Sequence, residues 1–314
     1  ASDAEMVYTN DSKAASEKWE HNFDENGFCT ICDAYEEPEL VEGVYQIANA
    51  GNLYWFMEYV NAGNGNENAV LVNDIVVNEG TMTETSKGVR EWFPIGYWHD
   101  RDGDETKEDI FYNGTFDGQN HTISGLYFNS ETQGYVGLFG QTDENASIQN
   151  VGVIHSYING GGYAGGVCGD NEGTITNCYN TGVLSGTGDS ANVGGVCASN
   201  GGGTFTNCYY RKDTETYFGI GAIVDEDSGA VKQVTEDTAG ETIAKTTEVF
   251  ASGEVAYLLQ QGQEDPAVQV WYQEIGKDPS PVLDGDQVVY YGYISCASDA
   301  EMVYTNDSKA ASEK

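Results

Sequence analysis

The chain has 314 residues and is strongly acidic, with 13 Lys and Arg against 51 Asp and Glu and a formal net charge of −38. Binding to nucleic acid or to anionic lipid needs clustered positive charge, so this composition excludes both partners. The 40 Gly, 21 Tyr and only 5 Pro indicate many short strands joined by tight turns. This composition leads us to expect an all-β protein. No run of 18 consecutive apolar residues occurs, so we expect no membrane insertion.

The first eighteen residues, ASDAEMVYTNDSKAASEK, recur without a change as residues 297–314, at a spacing of 296. Chance does not produce an identity of this length. It indicates either a tandem array, in which residues 296–314 begin the next identical repeat, or a duplication introduced by cloning. Identical sequences favour identical environments, so we favour an array or a fibre of identical modules.

Residues 1–40 are polar and acidic and are predicted to form a junction module, with Cys29 and Cys32 as a CxxC pair. Across the boundary between repeats, Cys296 is followed by the equivalents of His21, Cys29 and Cys32, in the order C-x20-H-x7-C-x2-C. Three Cys and one His satisfy the tetrahedral preference of zinc, which is the candidate cofactor here. The alternatives are a disulfide from Cys296 to Cys29 or Cys32, or a local disulfide or free thiols in the CxxC pair.

Residues 41–211 are predicted to form the main body, a β-solenoid that begins with a helical cap. Apolar residues recur at helical spacing at Leu53, Phe56, Met57 and Val60. Asn49 precedes this helix, and the turn cluster 63–66 ends it. We expect the helix to cover the open end of a stack of strands, because an uncovered end presents unpaired backbone groups.

Three segments of the body align at a period of roughly 27 to 30 residues: Val136–Gly160, Gly165–Gly186 and Gly194–Tyr210. The alignment makes three sets of positions equivalent: Phe139, Cys168 and Cys197; Asn150, Asn177 and Asn207; Val151, Cys178 and Cys208. One unit is too short to bury its own apolar face, so the units must stack. The sequence therefore predicts a parallel β-helix, with a ladder of Asn side chains along it.

These segments resemble the GLUG-motif repeats of large surface proteins from gut and soil bacteria. Upstream, Gly43–Asn61 and Gly114–Phe128 look like the lead-in to such repeats, and Glu248–Gly262 looks like the closing cap, so the resemblance extends over Val41–Tyr290. It implies a right-handed parallel β-helix of a secreted or wall-associated protein, with no catalytic residue common to the family. The second and third repeats depart from the motif by placing Cys where the first places Phe.

The four cysteines of the repeats are expected in the core: Cys168, Cys178, Cys197 and Cys208. The first repeat has Phe139 and Val151 at the equivalent positions. The cysteines are either free thiols, which behave as small hydrophobic residues, or disulfides within or between stacked units. Stacked strands lie about 4.8 Å apart, which a disulfide can bridge. Disulfides would imply an extracellular setting.

Three alternating carboxylates lie in the acidic segment 99–109: Asp100, Asp102 and Asp104. This spacing is typical of calcium loops, and calcium is the second candidate metal. Glu105 stands where an EF-hand requires Gly, and Phe111 stands where it requires a bidentate Glu. A solvated acidic loop is therefore the alternative.

Residues 212–295 are predicted to form a C-terminal acidic loop and capping segment. Asp213–Thr247 is expected as a long loop with one or two edge strands, and Val249–Leu259 as an amphipathic helix. Val288–Ile294 is expected as a strand that leads to Cys296.

The sequence carries no catalytic signature. HExxH, GxSxG and Gly-rich phosphate loops are absent, and no Lys or Arg lies between Lys107 and Arg211. His121 and His155 are expected in turns or ladders rather than as catalytic bases. We therefore expect no enzyme activity, and a polysaccharide-degrading enzyme is the weakest of the alternatives.

Aromatic residues are abundant and leave two uses open, stacking on sugar rings or packing under caps and at contacts between modules. They include Tyr54, Trp55, Tyr97, Trp98, Tyr209, Tyr210, Trp271, Tyr290 and Tyr291. Packing is the use we expect. We predict a structural subunit of an extracellular bacterial fibre or cell-surface stalk, whose partners are copies of itself in a head-to-tail array. The alternative is an adhesin-type module that binds glycans or a host surface.

Overall fold

The computed structural model describes residues 21–96, 110–187, 191–213, 215–224, 228, 230–238, 241–263, 265–283, 285–294 and 301–308. Short strands dominate these residues. The strands of the first half are β1 (Glu39–Val41), β2 (Val44–Ile47), β3 (Asn68–Leu71), β4 (Ile75–Val76), β5 (Thr115–Asp117), β6 (Thr122–Ser124), β7 (Tyr127–Asn129), β8 (Phe139–Thr142), β9 (Ser147–Gln149), β10 (Gly152–Ile154), β11 (Tyr157–Gly160) and β12 (Tyr163–Gly165).

The remaining strands are β13 (Cys168–Asn171), β14 (Thr174–Thr176), β15 (Tyr179–Asn180), β16 (Val183–Gly186), β17 (Asn192–Asn200), β18 (Thr204–Thr206), β19 (Cys208–Arg211), β20 (Phe218–Val224), β21 (Val231–Gln233), β22 (Thr242–Lys245), β23 (Tyr290–Ile294) and β24 (Glu301–Thr305). The helices are α1 (Ala50–Asn61), α2 (Thr247–Ala251) and α3 (Glu254–Gln261). None of these helices has the length and apolar character needed to span a membrane.

Four sheets are built mainly from parallel strands that come from different sequence repeats. Their strand orders are β1-β2-β3-β5-β9-β14-β18, β22-β19-β15-β10-β6-β4, β16-β11-β7 and β21-β20-β17-β13-β8, with β12 also paired to β17. Antiparallel pairing is confined, among the named strands, to β1 with β2, β20 with β21 and β23 with β24. The all-β class expected from the sequence is thus confirmed, with parallel sheets as its main feature.

Equivalent repeat positions pair in register and form the core. Cys168 pairs with Phe139 on one side and with Cys197 on the other, and Cys197 pairs with Ile220. A second row on another sheet consists of Phe116, Ile148, Ile175 and Phe205, of which Phe205 is the most exposed at 5%. The alignment of the repeats is therefore confirmed, because each sheet places the same repeat position beside itself.

The Asn ladder lies at the turn between two of the sheets. Asn177 Nδ2 donates to Asn150 Oδ1 at 3.1 Å, and Asn207 Nδ2 donates to Asn177 Oδ1 at 2.7 Å, across 27 and 30 residues of chain. All three residues have positive φ, at 55°, 52° and 53°. Asn tolerates this left-handed backbone better than most residues, so one residue type supplies both the turn and the ladder.

Helix α1 covers one end of the core, as its apolar spacing predicts. The Asn49 side chain accepts from Asn52 N–H and caps the helix. Phe56 is fully buried, and its ring centre lies 6.4 Å from that of Phe116 and 6.3 Å from that of Tyr112. The helix thus covers the first aromatic side chain of the Phe116 row.

The acidic segment after residue 212 is more ordered than the sequence suggests. The expected edge strands are β21 and β22, which lie at the edges of their sheets, whereas β20 pairs in parallel with β17 and is an additional strand that the sequence does not predict. The single helix expected over Val249–Leu259 is two helices. Gly253 lies between them at φ +90°, a backbone conformation that ends α2 and starts α3 in a new direction.

Helices α2 and α3 pack on the outer face of the sheet that contains β15 and β19. Tyr179 and Tyr209 point outward from these strands and form a buried cluster with Phe250, Leu259 and Trp271. Cys178 and Cys208, one position earlier, belong to the inner core. Successive side chains thus point to opposite faces of the sheet, the cysteines into the inner core and the tyrosines into the cluster under α2 and α3.

Replacing Asn177 with Ala is expected to lower the free energy of unfolding by about 3 to 4 kcal/mol. The change removes two amide hydrogen bonds of about 1 kcal/mol each and forces Ala into a left-handed backbone at about 1 to 2 kcal/mol. Asn177→Gly is the matched control, because Gly adopts positive φ freely and loses only the hydrogen bonds. Urea unfolding followed by circular dichroism measures both, and equal losses for the two variants would contradict a role for the backbone.

Candidate metal centre

The residues before β1 form a small hairpin stabilised by a tight turn. Asp24 Oδ1 accepts from the N–H groups of Asn26 and Phe28, and Gly27 closes the turn at φ +78°. Cys29 N–H donates to Ala34 O, which closes the chain around the CxxC pair. The sequence Asp-Glu-Asn-Gly is a strong turn signal, so this local structure follows from residue type.

The hairpin brings His21, Cys29 and Cys32 together. His21 Nδ1 lies 3.4 Å from Cys32 Sγ, and ligand atoms of all three side chains lie within 4.8 Å of one another. A tetrahedral zinc with bonds of about 2.0 Å to N and 2.3 Å to S would separate those two atoms by about 3.5 Å. The arrangement therefore fits three of the four ligands of a zinc site, and the structure places these three side chains together.

Electrostatics at the hairpin favour the thiolate that a metal needs. The backbone N–H of Ile31 is the main cause that lowers the pKa of Cys29 to about 6. Partial desolvation opposes this effect, whereas the Cys32 N–H and the His21 side chain add to it. Metal ligation by Cys requires the deprotonated sulfur, so Cys29 is prepared for ligation near neutral pH.

The hairpin is fixed to the start of α1. Asn26 O accepts from Gly51 N–H at 2.7 Å, and the Phe28 ring packs edge-on against Tyr54 with ring centres 5.8 Å apart. The guanidinium of Arg90 lies 3.5 Å from the centre of the Phe28 ring. Sequence reasoning missed Asp24 and Arg90. The turn signature could have identified Asp24, whereas no local pattern marks Arg90, which is distant in sequence.

Two predicted metal contributions lie outside the described residues. Cys296, the fourth ligand expected for zinc or the partner expected for a disulfide, is one of them. The calcium candidates Asp100, Asp102 and Asp104 are the others. These assignments stay predictions from the sequence.

The four repeat cysteines are buried, as predicted, and the structure has them as thiols: Cys168, Cys178, Cys197 and Cys208. Each Sγ has a backbone carbonyl two residues away within hydrogen-bond reach, for example Ser199 O at 2.9 Å from Cys197 Sγ. Burial raises the pKa of Cys208 to about 12 and holds that of Cys178 well above its usual range. In this state they are unreactive core residues, and disulfide pairing stays an open alternative.

Several other residues singled out in the sequence have packing or turn roles. His121 Nδ1 lies 3.4 Å from Asp74 Oδ1, and His155 Nδ1 lies 3.1 Å from Thr81 Oγ1, with His155 at φ +53° in a turn. Four of the aromatic candidates are buried and cannot stack on a sugar: Tyr54, Tyr209, Tyr210 and Trp271. Tyr97 and Trp98 lie outside the described residues.

Comparison with known proteins gives one partial similarity. A stretch of 94 residues is 35% identical to Halomucin from Haloquadratum walsbyi (strain DSM 16790 / HBSQ001), which covers 28% of this chain and 1% of Halomucin. The chain therefore spans only a very small part of the length of this relative. No family model and no solved structure matches the chain.

In metal-free protein, iodoacetamide is expected to modify Cys29 with a rate that reaches half its maximum near pH 6, because its pKa is lowered to about 6. Below that pH the thiolate is lost and the rate falls. The four buried cysteines are the internal control and should react only in denaturant. Peptide mass spectrometry after timed quenching resolves each site. A Cys29 midpoint near the ordinary thiol value of about 8.5 would contradict the thiolate assignment.

Proposed function

We propose that this chain is a structural module of an extracellular bacterial fibre or cell-surface stalk, assembled head to tail from copies of itself. The observation that carries the proposal is the exact repetition of residues 1–18 as residues 297–314. A contact that joins the end of one module to the start of the next does not close on itself, and such contacts generate filaments. Its match to Halomucin, whose name marks it as a mucin, favours a surface setting for this chain.

The proposed architecture of the module is a right-handed parallel β-helix of the GLUG-repeat type. Its support is the parallel pairing of equivalent repeat positions, such as Cys168 with Cys197, and the Asn ladder that follows the same axis. Stacked units have open ends, and α1 covers one of them. A stack of this kind suits a rod because length can increase by adding modules without a change in cross-section.

The charge of −38 has a clear use in a rod of this kind. Strongly like-charged rods repel one another sideways, which keeps them soluble and prevents pairing of exposed sheet edges. The same repulsion acts between consecutive modules, so their junction needs specific attraction. A bound cation at the junction would supply part of it.

We further propose that zinc binds at His21, Cys29 and Cys32 and fastens the junction module. The support is the distance of 3.4 Å between His21 Nδ1 and Cys32 Sγ, the proximity of Cys29, and its lowered pKa. Cys296 of the preceding repeat is the proposed fourth ligand, on the basis of the sequence order alone. Zinc supplies a structural clip here, since a site closed by four protein ligands leaves no position for a substrate.

Electron microscopy of the native material tests the fibre. Regular filaments with an axial repeat of one module are expected, and two or three complete repeats expressed in one chain should give particles that lengthen by a constant increment. Isolated globules from native material, or compact particles from the multi-repeat chains, would contradict the proposal.

Cobalt titration tests the metal site. One Co²⁺ per module is expected, with intense thiolate-to-cobalt absorption in the near ultraviolet and the visible bands of tetrahedral coordination. His21→Ala and Cys32→Ala should each weaken binding at least about tenfold, since even outer partners of a metal ligand contribute that much. His155→Ala is the matched histidine control and should leave binding unchanged. Octahedral spectra, or equal effects of the His21 and His155 changes, would overturn the assignment.

A further inference from the structure

The second copy of the repeated segment is folded against the module that precedes it. Its residues Glu301–Thr305 are strand β24, which pairs antiparallel with β23 from Tyr290↔Thr305 to Ile294↔Glu301. A two-stranded sheet is at best marginally stable by itself. Side-chain contacts to the rest of the module must therefore hold β24 in place.

Two side chains of the repeated segment make those contacts. The Tyr304 ring stacks on Tyr291, with ring centres 4.7 Å apart and planes inclined by 27°, and lies 5.7 Å from the ring of Tyr257 on α3. Both the oxygen and the nitrogen of the Asn306 side-chain amide form hydrogen bonds. Its Oδ1 accepts from Ile275 N–H at 2.9 Å, and its Nδ2 donates to Gln273 O and Val288 O at 2.7 and 3.0 Å.

Asn306 thus satisfies three backbone groups of one module with one side chain. Removing the Asn306 side chain would leave these three partly buried backbone groups without that partner. Tyr304 adds aromatic contact area on the same side. The docking site for the segment, which we call the β23 groove, is formed by β23, Tyr257 and the backbone of residues 273–275 and 288.

The chain contains two copies of the segment and one β23 groove. Tyr8 and Asn10 of the first copy correspond to Tyr304 and Asn306, and the residues around them are identical over the full eighteen positions. Identical sequences have identical intrinsic affinity for a common site. The first copy is therefore also a ligand for a β23 groove.

We propose that residues 5–10 of one copy of this chain occupy the β23 groove of a second copy by strand addition, and that this contact joins consecutive modules. The inference deepens the proposed function and rests on it for its setting, because it names the contact by which the fibre would grow. In a continuous array the segment belongs to two modules at once. It begins the sequence of one module and supplies the last strand of the module before it.

In the chain as it stands, the second copy competes for the groove from within the same molecule. A tethered ligand has an effective concentration in the millimolar range, so it excludes an identical ligand from another molecule at micromolar concentration. Disabling the second copy should therefore expose the activity of the first. Full-length variants can do this without removing any part of the chain.

The test uses three full-length variants. The second-copy variant carries Tyr304→Ala and Asn306→Ala, the first-copy variant carries Tyr8→Ala and Asn10→Ala, and the double-copy variant carries all four changes. Light scattering after size exclusion is expected to show concentration-dependent oligomers for the second-copy variant alone. The other two should stay monomeric, one because its own β24 fills the groove and the other because it has no competent ligand.

A peptide-binding measurement shows whether the β23 groove of the double-copy variant is still folded and able to bind. The labelled peptide ASDAEMVYTNDSKAASEK should bind the double-copy variant, and its Tyr→Ala, Asn→Ala form should bind at least about tenfold more weakly. A monomeric second-copy variant, equal oligomers in the second-copy and double-copy variants, or equal binding of the two peptides would overturn the proposal. Native fibres together with a monomeric second-copy variant would overturn this contact and leave the proposed fibre intact, whereas oligomers without native fibres would do the reverse.

Discussion

The structure depends on one constraint, the parallel pairing of each repeat position with its own equivalent. Cys168 lies beside Phe139 and Cys197, and another sheet likewise pairs Ile175 with Ile148 and with Phe205. A shift by one residue would turn each core side chain to the outside, so the apolar rows fix the register. The Asn ladder adds a polar device with the same period. It closes the turn with positive φ and links neighbouring units through their amides, so turn geometry and register support each other.

Much of this arrangement could be predicted from the sequence because repetition makes register visible. The equivalence of Asn150, Asn177 and Asn207 follows from alignment alone, and the helix over Ala50–Asn61 follows from apolar spacing and its Asn49 cap. Strand β20 was missed because it belongs to an acidic segment without a repeat partner in sequence. Its position is set by the free edge of β17, which only the folded structure provides. The break at Gly253 was missed because the apolar spacing continues across it.

For the candidate metal centre, too, one part could be predicted from the sequence and another part could not. The convergence of His21, Cys29 and Cys32 could be predicted, because a CxxC pair with a nearby His is a recognisable ligand pattern. The residues that hold the hairpin in place could not be predicted from the sequence. Arg90 reaches the Phe28 ring from a distant part of the chain, and Asn26 bonds to Gly51 at the start of α1. These are consequences of the tertiary fold and have no local signature.

The end of the core and the edge of β23 are covered by different means. Helix α1 covers the apolar row that begins at Phe116, and the hairpin with His21, Cys29 and Cys32 is bound to the start of that helix. Strand β23, which lies beside α3, pairs with β24 of the repeated segment. In the array that we propose, this strand belongs to the next module, so completion of one unit depends on the presence of another. Because the 314-residue chain carries a charge of −38, a contact of this type between copies has a further advantage. Its attraction comes from backbone pairing, one amide and stacked rings, none of which requires an opposite charge on the partner.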